Sequence, residues 1–211
     1  MKTLTYLSRS FSLSMVALGS AVLLSTASGQ VLHEALVKKV ETSMQQTPSF
    51  SAGGPKDKRW DPLEWLEIEV ELDVDSKSPT KTIPEITATF YIALPNKSGQ
   101  GNVMLTDRIT FVNVRAHKGT AYLIAYVNPD TLTRFTGQEK ARVNDILSAG
   151  VEIDGPGLSN AKRDKMMGST KAGAWWKEVS YPREQGMILP KGKTPFALLW
   201  FDRYPQTRDD R

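Results

Sequence analysis

The sequence has no cysteine and only two histidines, His33 and His117, in 211 residues. Without thiols there is no thiolate nucleophile, no Cys-based metal site, no lipid attached to an N-terminal cysteine and no disulfide framework, so burial alone must stabilise the fold. His33-Glu34 begins like a zinc-protease helix, but Val37 stands where the second ligand is needed. A Ser/His/Asp arrangement would have to use His117, and no G-x-S-x-G elbow accompanies it. There is no Walker loop and no dinucleotide fingerprint, and the glycine-rich Ser98-Gly99-Gln100-Gly101 precedes no expected helix, which argues against a phosphate loop. No run of five basic residues occurs. The formal charge is only +4, and two of the positive charges, Lys2 and Arg9, belong to the first ten residues. Nucleic acid is therefore not an expected partner. The expectation is a protein that is not an enzyme and has no cofactor and no metal.

What the chain does have begins at its N-terminus. Lys2 and Arg9 form a positive region without acidic neighbours, and Met15 to Leu24 (MVALGSAVLL) is apolar but too short to span a bilayer unaided. Ala27, Ser28 and Gly29 supply the small side chains that a signal peptidase needs. Residues 1–29 read as a signal peptide, leaving an exported mature chain of about 180 residues, enough for one domain. The destination is the periplasm, outer membrane or cell surface, and the mature chain does not span a membrane once the signal is cleaved. The rivals are an uncleaved anchor and a pilin-like leader. A pilin leader has Gly at its cut and Glu five residues on, whereas Ser10 and Met15 stand near those places.

Along the mature chain the hydrophobic period changes. Leu32, Leu36, Val40 and Met44 recur every four residues, which predicts a helix over Val31 to Gln46, and Ser49 to Lys58 reads as a linker. Residues 30–58 are thus expected to form an N-terminal helix and linker, ahead of a β-sandwich domain over 59–211. From Leu66 the period is two, with Leu66, Ile68, Val70, Leu72 and Val74 alternating with Glu67, Glu69, Glu71, Asp73 and Asp75. Further strands are expected at Ile86 to Leu94, Val103 to Ala116 (with a bulge near Phe111 and Val112), Ala121 to Val127, Ile146 to Ile153, Ala174 to Tyr181 and Pro195 to Tyr204. Ala121 to Val127 is apolar on both faces and so central. Thr131 to Thr136 is expected to make one helical turn, Gly186 to Pro190 a short edge, and Ser159 to Ala172 a loop. About seven strands with frequent turn signals predict an all-β fold, an antiparallel sandwich of immunoglobulin-like plan without the Cys-Trp-Cys core, with a small barrel as the alternative.

Two constellations compete for function. The acidic stripe Glu67 to Asp75 has carboxylates at glycosidase spacing, with Glu69 and Glu71 central, but a solvated stripe lacks the desolvated acid that such chemistry needs. The simpler expectation is a surface face neutralised by Arg108 or Arg115 across the sheet. Asp73 and Asp75 begin like a calcium loop, yet Lys77 replaces a third carboxylate. The aromatics are the better handle. On a strand, Trp175 and Trp176 point to opposite faces, so one is left to meet a neighbour, a sugar ring or a partner near Tyr181. Trp175, Trp176 and Tyr181 are the candidate partner or ligand contacts. Trp65 is expected to cap one end of the sandwich, and Trp200 and Phe201 share the ambiguity.

The closing segment Lys193 to Tyr204 (KTPFALLWFDRY), the acidic strand WLEIEVELDV and the N-terminal signal together resemble a small immunoglobulin-like envelope protein family of mucin-associated Verrucomicrobia, encoded beside a type IV pilus-like locus. The resemblance implies an immunoglobulin-like fold, an outer-membrane or pilus-associated location and no enzymatic role. It carries no functional residues over. The expected partners are envelope or pilus proteins, with self-association and glycans as alternatives. The expected function is a non-catalytic envelope structural or interaction protein; a secreted carbohydrate-binding module is the rival.

Overall fold

The segment expected to be helical is a strand. In the computed structural model, which describes residues 33–50 and 61–208, β1 (His33–Gln46) pairs antiparallel with β2 (Glu64–Ser76), from His33 opposite Ser76 to Gln46 opposite Glu64. The segments expected to be the signal peptide (residues 1–29) and most of the linker lie outside the described residues. A single irregularity explains the misreading. Val37 pairs with Leu72 and Lys39 with Glu71, so Lys38 is an extra residue in a β-bulge. The inward set Ala35, Val37, Val40 and Met44 is a period-two pattern interrupted once. The interruption stretches one interval to three and imitates a helical stripe. The sandwich therefore begins at β1 and not at residue 59.

Among the described residues, ten strands form two sheets. The first has the order β1-β2-β5-β9, with β5 at Thr120–Val127 and β9 at Ile188–Pro190. The second has the order β10-β4-β3-β6-β7, from β3 (Thr82–Pro95), β4 (Asn102–Arg115), β6 (Ser148–Asp154), β7 (Met167–Ser169) and β10 (Gln206–Thr207), while β8 (Arg183–Glu184) joins β4 in parallel. Leu66, Ile68, Val70 and Leu123 of the first sheet share one core with Phe90, Ile92, Phe111 and Val151 of the second. That is the expected sandwich, held by burial of β-branched and aromatic side chains. The central place of β5, between β2 and β9, also matches its apolar sequence.

The expected bulge in β4 is a change of conformation without an inserted residue. β3 and β4 keep one register on both sides of Pro84 and Asn113, but the buried positions shift phase there, from Phe111 to Val114 on β4 and from Ile86 to Ile83 on β3. Asn113 makes the switch with φ +55°, a left-handed conformation that asparagine tolerates better than most residues. The helical turn is α1 (Pro129–Thr136), capped by the Asn128 side chain, which accepts from Thr131 N at 2.7 Å, and closed by Gly137 at φ 71°. No helix among the described residues is long and apolar enough to cross a membrane.

Beyond β6 the expectations fail more often. Ser159 to Ala172 contains a 3₁₀ turn and β7, with Met166 fully buried. Ala174 to Tyr181 holds only a 3₁₀ turn at Trp175–Lys177, and Pro195 to Tyr204 is a series of turns. These segments are not strands because they close no ladder; they lie over the outer faces of the sheets. One carboxylate fixes the crossing between them. Asp107, in the inward phase of β4, accepts backbone hydrogen bonds from Gly186 (2.7 Å), Met187 (3.0 Å) and Ile188 (2.8 Å). A strand of the second sheet thereby holds the entry to β9 in the first.

Candidate functional site

Each sheet has an aromatic on its outer face, and each is covered from the C-terminal part of the chain. On the second sheet, Tyr91 stacks on Trp176 with ring centres 4.9 Å apart and planes at 8°, and Trp175 meets Trp176 edge-on at 5.7 Å. Trp176 is only 2% exposed, while Trp175 and Tyr181 are half-buried. Of the three candidate contacts, the structure therefore brings Trp175 and Trp176 together as a lid and places Tyr181 in the irregular segment between that lid and β8. Neither indole N–H has a hydrogen-bond acceptor among the described residues.

On the first sheet, the outward residues of β5 are Tyr122, Ile124 and Tyr126, beside the acidic face of β2. Phe196 is buried against them, stacked on Tyr126 at 4.7 Å and set edge-on to Trp65 at 6.0 Å. Trp65 is thus a packing residue, and its indole donates to Thr47 Oγ1 at 3.0 Å. This cover changes the meaning of the acidic stripe. Glu67 is 8% exposed and accepts from Tyr126 Oη (2.8 Å), Ser43 Oγ (3.2 Å) and Gln45 Nε2 (3.3 Å). Glu69 is held by Arg203, with Nη2 at 2.8 Å and Nε at 3.2 Å, and by the Tyr204 hydroxyl. Glu71 pairs with Lys38 at 2.6 Å. The neutralising groups of Glu69 and Glu71 come from the C-terminal segment and from the bulge in β1, and Lys81 stands 3.8 Å from Asp75. Arg108 and Arg115 do not supply them, because both belong to β4 in the other sheet.

The electrostatics follow from that arrangement. Burial, then the charge and hydrogen bond of Glu67, hold the Tyr126 hydroxyl far above the usual tyrosine range; Tyr204 is raised by burial and by its bond to Glu69. The Glu69 hydrogen bond raises Arg203, whose guanidinium lies 3.9 Å over the Tyr122 ring. Burial lowers Lys191, which donates to Ala197 O at 2.7 Å. Tyrosines whose folded values are raised keep their protons in the folded chain after the unfolded chain has lost them. Their contribution is complete below about pH 10 and declines as pH rises beyond it. Alkaline titration monitored by circular dichroism is expected to show a stability loss from about pH 10 upward. The loss should be shallower in Tyr126→Phe/Tyr204→Phe, and an unchanged slope would contradict the assignment.

The covering segment is itself incompletely covered. Between its anchors at Phe196 and Arg203, Leu198 is 75% exposed, Phe201 63% and Trp200 44%. Trp200 adopts φ +49°, a left-handed conformation costly for an aromatic residue. Three large apolar side chains in four residues make a surface patch of the kind that marks docking. Two hollows flank Phe201 and Tyr204. One of about 450 Å³ reaches the β4–β5 turn, and one of about 300 Å³ includes Lys191 and Lys193. The sequence held the signal for this site in FALLWF, an apolar run without alternation between Pro195 and Pro205. It reads as a buried strand unless one knows that the sheets are already complete.

A protein-family model matches residues 26–211. Among solved structures, a crystal structure of a protein from Akkermansia muciniphila aligns with a TM-score of 0.73 and 26% sequence identity, covering 88% of this chain and 98% of that one. No curated protein matches the chain.

Proposed function

The chain belongs to the family whose model spans residues 26–211, and from that premise we propose that it is a non-catalytic structural or interaction protein of a bacterial cell envelope. In this reading it is exported, has an immunoglobulin-like plan, and docks to an outer-membrane or pilus-like assembly through the turn Leu198–Phe201. The observation that carries the proposal is that turn, which exposes leucine, tryptophan and phenylalanine while Phe196 and Arg203 hold its two ends. Rigid anchoring lowers the entropic cost of presenting apolar side chains to a partner. Export is supported by Lys2, Arg9 and the apolar Met15–Leu24 segment, after which the family match begins. The immunoglobulin-like plan is supported by two sheets, antiparallel except where β8 joins β4, packed over a shared core. The carboxylates of the acidic strand act as packing and pairing groups, Glu67 and Glu69 each being surrounded by donors.

The test places a photo-crosslinker at Leu198 in the exported protein and identifies what it captures in the envelope. Outer-membrane or pilus components are expected. Leu198→Asp/Phe201→Asp is expected to keep the parent melting temperature and to lose those partners by on the order of tenfold. Equal recovery by the double variant, or capture of no envelope component, would overturn the reading.

A further inference from the structure

The larger hollow has a chemistry of its own. It lies where the C-terminal segment meets the turn that carries the chain from β4 to β5, and Arg115 at the end of β4, with His117 and Lys118 of that turn, contributes to its wall. Among the described residues, neither Arg115 nor Lys118 makes an ion pair with a carboxylate. Both are exposed, so neither charge is consumed in holding the fold. Arg203 also lines the space, but Glu69 and the Tyr122 ring occupy its guanidinium. Asp202 is the one acid in the wall. The remaining surface is mixed. The Asn113 and Gln206 amides can donate and accept, and Phe201 offers an exposed ring. Asn113 reaches this wall through the left-handed conformation at which β3 and β4 change phase, and strained backbone of this kind concentrates at functional sites.

We propose that this cavity binds an anionic sugar, a ring of about monosaccharide to disaccharide size bearing a sulfate, phosphate or carboxylate group. Arg115 and Lys118 take the oxyanion, Asn113 and Asp202 take hydroxyls, and the Phe201 ring takes an apolar sugar face. Each part of the ligand answers a property of the wall. The two unpaired cations call for negative charge. A volume of about 450 Å³ lies within the usual range of small-molecule sites and exceeds what a bare oxyanion fills. Amides, a carboxylate and an exposed ring on one wall suit a ligand with hydroxyls on its edge and C–H groups on its face. A flat bilayer surface matches the exposed Leu198 but cannot follow a concave wall. The site shares Phe201 with the docking turn, but Leu198 does not line the cavity, so Leu198→Asp separates the two readings.

The test titrates the purified chain with glucose 6-sulfate, glucose 6-phosphate, glucuronic acid, glucose and inorganic sulfate, using calorimetry and protein-observed NMR. At least one anionic sugar is expected to bind about tenfold more tightly than glucose and than inorganic sulfate, with affinity falling as salt rises. The best of the three identifies the source of the charge. Arg115→Ala/Lys118→Ala should weaken that binding about tenfold at an unchanged melting temperature, while Leu198→Asp leaves it intact. If the double variant misfolds, Lys118→Glu alone should give the same loss. The proposal is overturned if no anionic sugar binds at about 10 mM, if the variants bind like the parent, or if inorganic sulfate binds as well as the sugars. Binding to phosphatidylglycerol vesicles without binding to sugars would assign the cations to a membrane instead. Loss of the docking partners with Leu198→Asp, with sugar binding retained, would support the sugar site apart from the docking reading, and loss of sugar binding with Leu198→Asp would overturn the placement of the ligand on Arg115 and Lys118.

Discussion

Phe196→Ala is expected to cost about 3–5 kcal/mol and to release the segment that covers the first sheet. The ring is 1% exposed and stacks on Tyr126, with Trp65 edge-on and Trp200 at 6.3 Å on its other side. With Ile124 and Tyr126 it forms a small cluster separate from the main core. Truncation removes an aromatic ring and exposes the faces it covered, including the Glu67–Tyr126 hydrogen bond. The neighbours cannot collapse into the space, because Ile124 and Tyr126 are fixed on a central strand. The opening should nonetheless remain local. On one side Asp107 holds residues 186–188; on the other, β10 pairs with β4 and Arg208 reaches Glu85 at 2.5 Å. Hydrogen exchange is therefore expected to accelerate in residues 191–205 before it changes in β2 or β3. Phe196→Leu, which keeps most of the volume, should cost about 1–2 kcal/mol. A loss below about 1 kcal/mol for the alanine variant, with exchange unaltered, would mean that the Arg203–Glu69 pair holds the segment without the ring.

The contrast between the two sheets' inner and outer faces explains how much was legible in the sequence. Strands β2, β3 and β5 were readable because one face, or both, is buried by the sandwich itself, so apolar residues recur at the strand period. β1 obeys the same rule but carries one inserted residue, Lys38, and a single insertion is enough to make a period of two look helical. The lids over the outer faces follow no period. Phe196 and Trp176 are buried by long-range contacts with Tyr126 and Tyr91, and no local pattern encodes which distant ring each will meet. For that reason the tryptophan pair stands out in the sequence, while its place on a 3₁₀ turn and not on a strand does not. The donors to the acidic stripe were hidden for the same cause. Arg203 and Glu69 are far apart in sequence, and only the path of the chain after β9 brings them together. The exposed turn Leu198–Phe201 was hidden behind its own hydrophobicity, since an apolar run announces burial and becomes a surface only after the core is full.

The lid on the second sheet makes a sharper prediction, because two residues share one space. Gly150 is the cross-strand partner of Tyr91, and Trp176 lies over that pair. A Cβ on Gly150 would sit 2.3 Å from Cζ3 of Trp176 and 2.5 Å from its Cε3, so the ring or the strand must move. Gly150→Ala is therefore expected to destabilise by about 1–3 kcal/mol through overpacking, although alanine normally suits a strand better than glycine does. Trp176→Ala should cost about 3–5 kcal/mol, the value for a buried large aromatic. In the Trp176→Ala background the clash no longer exists, and Gly150→Ala should become neutral or stabilising by up to about 1 kcal/mol, since alanine restricts the unfolded chain more than glycine. The sum of the single effects then exceeds the double-variant effect by about 1–4 kcal/mol, a coupling that denaturant unfolding of the four proteins can resolve. Near-ultraviolet circular dichroism adds an independent signal, because displacement of the stacked Tyr91–Trp176 rings alters it in Gly150→Ala alone as well as in Trp176→Ala. Additive costs, together with an unperturbed aromatic spectrum in Gly150→Ala, would place Trp176 away from Gly150 and remove the lid from the second sheet.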